Sequence, residues 1–219
     1  MMTHNWSIPE REYARQEQRR GRRHAFSHLA PRSTALVVVD MVPFFAGNKH
    51  SADVIENINR IAAPLRDAGG TIAWVIPSSD DPYPDLSNEF YGREAAEAFR
   101  VSGGQGPLES RLCPSLERYP SDLFLEKRTA SAFFPLHCNL HSQLGSREIK
   151  TVIIAGMVSN VCCEGTARDA RACGYRVIMA AEANATVSDE VHNSTLFTIY
   201  RSFGDVRSTT DIIGLIRAS

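Results

Sequence analysis

The sequence predicts an α/β protein built in three α/β/α layers around a doubly wound, six-stranded, mainly parallel sheet. Short runs rich in Val, Ile and Leu recur along the chain, and segments with helical spacing separate them. Strands that alternate with helices read as βαβ units. Two runs, TALVVV at 34–39 and TVIIA at 151–155, are apolar almost without interruption, as expected of strands covered on both faces. The length of 219 residues suits one domain with a full core.

Residues 10–23 read as a helix rich in Arg, Glu and Gln with little apolar face. Glu10, Glu12 and Glu17 interleave with its arginines, so a solvated face is expected rather than a nucleic-acid patch. Residues 1–32 precede the first core strand, and the sheet can form without them. Trp6, Ile8, Tyr13, Phe26 and Leu29 are dispersed through this stretch and need burial. The segment is therefore read as a surface and oligomerisation element, packing across a two-fold axis, with the chain's own body as the alternative. The main domain is expected over 33–219.

The first strand ends at Asp40. Val54, Ile55, Ile58, Ile61, Ala62 and Leu65 follow at helical spacing over 52–68, Pro64 is expected to bend the last turn, and Gly69-Gly70 stops it. TIAWVI, ending at Pro77, is the second strand. Residues 78–120 are the least regular part, with one helix expected near 88–100, and read as an inserted lid. DLFLEK is the third strand and ends at Lys127. A short helix near 138–145, the strand TVIIAG, a helix over 161–173 and the strand YRVIMA come next. A helix over 188–202, a short edge strand at 205–207 and a closing helix over 209–217, capped by Ser208 or Thr209, complete the pattern.

Composition excludes several classes. A charged fraction of 22% and a net charge of -1 exert no general pull toward nucleic acid or membrane. No apolar run approaches the roughly 20 residues that span a bilayer. The N-terminal residues have no apolar core of the secretory kind. Five cysteines, an odd number without a C-x-x-C pair, suit free thiols in a reducing cytoplasm.

Three reactive side chains stand at the carboxyl ends of three separate strands: Asp40, Lys127 and Cys162. Ligands bind at that edge of a doubly wound sheet. Cys162 falls where a buried strand turns into a helix, and the free N–H groups and helix dipole there favour thiolate over thiol. A carboxylate can take the thiol proton, the thiolate can attack, and the amine can hold the carboxylate ionised and oriented.

The motifs VVVDMVPFF around Asp40, EKRTASAFF around Lys127 and GMVSNVCCEGTARDARACGYRVIMAAEANA around Cys162 resemble the isochorismatase-like cysteine hydrolases. That family includes nicotinamidases, N-carbamoylsarcosine amidases and ureidoacrylate amidohydrolases, and the resemblance covers roughly residues 33–217. It implies a Rossmann-like hydrolase that cleaves a C–N bond of a small amide, ureido or lactam substrate through a thioester. Cys162 is then the nucleophile rather than Cys163, Asp40 the base and Lys127 its partner. The family's pattern also implies a cis peptide between Met157 and Val158, and an oxyanion hole from the backbone N–H groups of Val158 and Cys162. Phe45, and more weakly Ser131 and Phe133, match substrate-binding positions. No cofactor, nucleic acid or membrane partner is implied, and a homodimer or higher homo-oligomer is.

Three departures shape the expectation. Val42 stands where the family often has Gln. PSSDDPYPD follows the second strand without the histidine of a nicotinamidase metal site, so no metal is expected. His137 and His141 share i, i+4 spacing but lack a third ligand, and read as surface or capping residues. A cysteine nucleophile argues against isochorismatase chemistry itself. The alternatives are a vinyl-ether or ester hydrolase, or a non-catalytic member that binds a small molecule.

Overall fold

The computed structural model describes residues 4–47 and 50–218, so the first three residues of the N-terminal segment and Ser219 lie outside it. Six strands form the sheet: β1 Thr34–Val39, β2 Thr71–Pro77, β3 Leu123–Lys127, β4 Thr151–Met157, β5 Arg176–Ala185 and β6 Asp205–Arg207. Their order is β3-β2-β1-β4-β5-β6, and every pairing is parallel.

The unbroken apolar runs have a plain cause. Alternate residues of each central strand feed two different cores. Ala35, Val37 and Val39 of β1 join Val152 and Ile154 of β4 on one face, while Leu36 and Val38 join Ile153 and Ala155 on the other. With both faces covered, no position of β1 can be polar without a partner. Helix α1 (Glu10–Arg20) lies N-terminal to the sheet. Helix α2 (Ser51–Asp67) supplies Val54, Ile58, Ile61 and Leu65 to the second core, and Pro64 sits inside its last turn.

The segment 78–120 holds more helix than its sequence suggests. Two helices, α3 (Pro84–Tyr91) and α4 (Arg93–Val101), replace the single one expected near 88–100. The break is Gly92, whose φ of 80° and ψ of 151° only glycine adopts at little cost. A one-turn helix, α5 (Leu108–Arg111), follows, and α6 (Leu140–Gly145) lies between β3 and β4. Helix α7 (Glu164–Ala172) starts later than the expected 161, because a π-helical turn over Ser159–Cys163 precedes it. Helices α8 (Asp189–Ser202) and α9 (Thr209–Arg217) are capped by Ser188 and Ser208, whose hydroxyls accept the N–H groups of Val191 and Asp211.

Strand β5 runs past YRVIMA to Ala185, because its register against β4 shifts between Ile154 and Gly156. Asn184 serves the irregularity, its Nδ2 donating to the Ile154 carbonyl at 3.0 Å and to the Ala180 carbonyl at 2.6 Å.

The N-terminal residues find their burial on the chain's own body. Ile8 and Tyr13 enter the first core, Leu29 the second, and Trp6 and Phe26 pack against them. The ring of Tyr13 meets Tyr200 edge-on at 5.0 Å. The apolar residues that suggested a two-fold interface are thus already covered within one chain. Among the described residues, no helix is long and apolar enough to cross a membrane.

Candidate active site

The strand order places the topological switch point between β1 and β4, where a doubly wound sheet opens a crevice beyond its carboxyl edge. Asp40 follows β1 there, with a φ of 54° and its N–H donated to the Val75 carbonyl at 2.8 Å. Positive φ is uncommon outside glycine, although Asp tolerates it better than most residues. Cys162 stands in the turn after β4. Lys127 ends β3, two strands away from β1, across a gap of about 10 Å at ordinary strand spacing. Its long stem spans the gap. Nζ reaches Asp40 Oδ2 at 2.8 Å and donates to Cys162 Sγ at 3.6 Å and to the Thr129 carbonyl at 3.1 Å. The three expected site residues therefore come together from the carboxyl ends of three strands.

Asp40 and Lys127 are buried, at 1% and 4% exposure, and Cys162 is partly exposed. Burial raises the Asp40 carboxyl above its ordinary range, and Lys127 and the thiol hold that rise in check. Burial opposes the charge on Lys127, but Asp40 and Cys162 outweigh it and the ammonium is held more tightly than usual. The Cys162 thiol is pushed up to about 12, by burial first and by the Asp40 carboxylate second, against Lys127. The helix terminus thus does not leave a resting thiolate, as the sequence suggested. Desolvation and an adjacent anion win, and the resting site holds one proton on sulfur beside a carboxylate that can receive it. Cys163 is fully buried, and its thiol is raised well above its ordinary value by burial.

The turn that carries Cys162 is held on several sides. Gly156 has a φ of 121°, and a Cβ there would lie 2.0 Å from the Val39 carbonyl oxygen. Glycine is what lets β4 approach β1 just before the site. The Met157–Val158 peptide is cis. Ser159 Oγ lies 2.8 Å from His192 Nδ1, and Thr186 Oγ1 donates to Asn160 Oδ1 at 2.6 Å. Thr166 Oγ1 accepts the Ala132 N–H at 3.1 Å, tying the loop after β3 to α7. Arg168 pairs with Glu164 and covers the ring of Phe203 at 4.3 Å.

The remaining expected residues fare differently. Phe45 is half-buried, edge-on to Phe44 at 4.9 Å; Phe44 meets Phe99 at 6.2 Å, and Phe99 meets Tyr91 at 5.1 Å. An aromatic run therefore leads from the loop after β1 to α3 and α4. Ser131 accepts the Phe133 N–H at 3.1 Å. Phe133 is 1% exposed and packs on Tyr175, and its neighbour Phe134, at 45%, faces outward.

Asp80 pairs with Arg128, and Asp81 accepts the Tyr83 N–H. His141 bonds the Tyr175 hydroxyl, and His137 stacks on Phe134. Sequence reasoning missed the ring of support behind the turn, namely His4, Asn184, Thr186 and His192. Their polar side chains inside apolar or N-terminal stretches were the only signal.

Residues 34–211 match the isochorismatase domain. Among curated proteins, the chain is 30% identical to the ureidoacrylate amidohydrolase RutB of Cronobacter sakazakii, over 84% of this chain and 90% of that one. It is also 30% identical to the isochorismatase family protein YecD of Escherichia coli O157:H7, over 86% and 98%. Among solved structures, a cysteine hydrolase from Pseudomonas syringae pv. phaseolicola superposes with a TM-score of 0.75 at 26% identity, covering 89% of this chain and 97% of that one. The N-carbamoylsarcosine amidase of Thermoplasma acidophilum gives 0.65 at 25% identity, covering 81% and 96%. With the domain matched across most of its length, the chain belongs to the isochorismatase family of hydrolases.

Proposed function

We propose that this protein is a cysteine amidohydrolase that cleaves a C–N bond of a small carboxamide, ureido or lactam substrate. One observation carries the reading: the Lys127 ammonium lies 2.8 Å from Asp40 and 3.6 Å from Cys162, in a buried cluster at the switch point of the sheet. Asp40 takes the thiol proton as sulfur bonds to the substrate carbon. The N–H groups of Val158 and Cys162 receive the developing oxyanion. The C–N bond then breaks, and the proton held on Asp40 passes to the leaving nitrogen. Water, deprotonated by Asp40, cleaves the thioester, and the proton returns to sulfur as the acid leaves.

The raised Asp40 carboxyl suits this exchange, because a base closer to neutrality can both accept and return a proton. The amidohydrolase and amidase names of relatives support C–N over vinyl-ether chemistry. The aromatic run from Phe45 to Tyr91 favours a substrate with an apolar or aromatic acyl group. Five free thiols suit a reducing compartment such as the cytoplasm.

Intact-mass detection of an acyl adduct across primary amides, ureido acids and lactams tests the reading. A mass gain that maps to Cys162 and vanishes in Cys162→Ala is expected. A panel that turns over while that variant keeps its activity would overturn it.

A further inference from the structure

The first residues of the described chain bear on the candidate nucleophile, although they lie more than 150 positions away in sequence. His4 is 5% exposed. Its Nε2 accepts the backbone N–H of Thr186 at 3.1 Å, and its Nδ1 lies 2.6 Å from Asp189 Oδ1. The bond from a backbone N–H settles the tautomer. Nε2 must offer its lone pair, so the ring proton sits on Nδ1 and is donated to Asp189.

The imidazole also stacks on His192, with ring centres 4.5 Å apart, and its centre lies 4.0 Å from that of His50. His4, His50 and Asp189 come close enough to suggest a metal site. The proton on His4 Nδ1 points at the carboxylate, however, and leaves that nitrogen no lone pair for an ion.

Two of the residues that His4 touches, Thr186 and His192, also hold the nucleophile turn. Thr186, whose N–H it accepts, donates its hydroxyl to Asn160. His192, on which it stacks, meets the hydroxyl of Ser159. Ser159 and Asn160 open the π-helical turn that ends at Cys163. The N-terminal segment is itself anchored: Ser7 N–H donates to Asn193 Oδ1 at 2.8 Å, and Asn193 Nδ2 to the Asn5 carbonyl at 3.1 Å.

We propose that His4 is a positioning residue for the Cys162 turn, acting through Thr186 on Asn160 and through His192 on Ser159. The N-terminal segment is then a strap that completes the back of the active site, beyond any role as surface cover. The proposal rests on Cys162 being the nucleophile served by Asp40.

The test is the rate and pH profile of iodoacetamide alkylation at Cys162, mapped by peptide mass, with Cys173 in the same digest as internal control. His4→Phe keeps an aromatic ring in the stack but removes both hydrogen bonds. His4→Gln restores an acceptor for the Thr186 N–H. Thr186→Val removes only the hydroxyl that holds Asn160, and guards against a fold defect in the His4 variants.

Displacing a reacting group by about 1 Å costs up to about 100-fold. Alkylation of Cys162 is expected to slow about tenfold or more in His4→Phe and Thr186→Val and to shift its pH profile. Recovery in His4→Gln and unchanged labelling of Cys173 are expected too. A Cys162 whose alkylation responds to Asp40→Asn but to neither His4→Phe nor Thr186→Val overturns the proposal alone. A Cys162 indifferent to Asp40→Asn overturns the functional reading, and the proposal with it.

Discussion

Lys127 and Asp40 form an ion pair 2.8 Å long with almost no access to water, and Lys127 comes from β3, two strands away from β1. The pair bridges the carboxyl edge of the sheet across β2. Removing the cation leaves a buried carboxylate alone, which typically costs about 3–5 kcal/mol in stability. Lys127→Met is expected to lose stability of that order in urea unfolding. The remaining carboxyl should rise further and protonate, so the variant is also expected to be inactive. Near-normal unfolding midpoints would show that the pair is not the anchor described here.

Asp40→Asn keeps the shape of the side chain and removes its basicity. General base catalysis is typically worth about 10²–10⁴-fold. A loss of kcat of that order with KM little changed is expected, and steady-state kinetics on any substrate found in the amide panel measures it. A loss confined to KM would instead make Asp40 a binding group.

The thiol predicts a pH dependence of stability. Cys162 is pushed from an ordinary 9.0 to about 12 in the folded protein, so the folded state binds this proton more tightly than the unfolded chain does. That contribution is fully present below about 9 and is lost as pH rises through about 12. Wild-type protein is expected to lose stability faster than Cys162→Ala as pH rises above 9.0. Parallel unfolding titrations of the two proteins read the difference, and superimposable curves would mean that the thiol is not raised.

Gly156 is a point where two strands of the scaffold come very close. Gly156→Ala combines a φ of 121° with a Cβ placed 2.0 Å from the Val39 carbonyl oxygen. A loss above about 3 kcal/mol, or failure to fold, is expected from this backbone clash. Thermal unfolding with a loss below about 1 kcal/mol would show that β1 and β4 can separate at little cost.

The aromatic run predicts a selective effect on binding. Phe99 joins Phe44 and Tyr91, and it is 42% exposed. Phe99→Ala is expected to raise KM for aryl amides several-fold while sparing small aliphatic amides, with kcat little changed. Equal effects on both classes would take the ring out of substrate selection.

The fold and the meeting of Asp40, Lys127 and Cys162 were legible because each rests on local signals. Thr34–Val39 and Thr151–Met157 are apolar at both parities, which a chain can sustain only where helices cover both faces of a sheet. Asp40 and Cys162 each follow such a run and Lys127 ends a third strand, so the carboxyl edge they share could be read directly. The break at Gly92 was less visible, because a glycine within a helical pattern can be tolerated and only its ψ of 151° shows that it is not.

By itself, the sequence determined the order of elements, the two-faced sheet and the side chains that stand at its carboxyl edge, since these depend on side-chain chemistry and short-range periodicity. Tertiary structure alone decided the rest. It buried Ile8 and Tyr13 on the chain's own body with Trp6 packed against them, turned Phe133 into the core, and carried His4 to the back of the Cys162 turn. It also decided the protonation of the thiol: a helix terminus favours thiolate locally, but burial and the Asp40 carboxylate, brought from another strand, outweigh it. Desolvation and charge act through space, and the distances that govern them do not exist until the strands have paired.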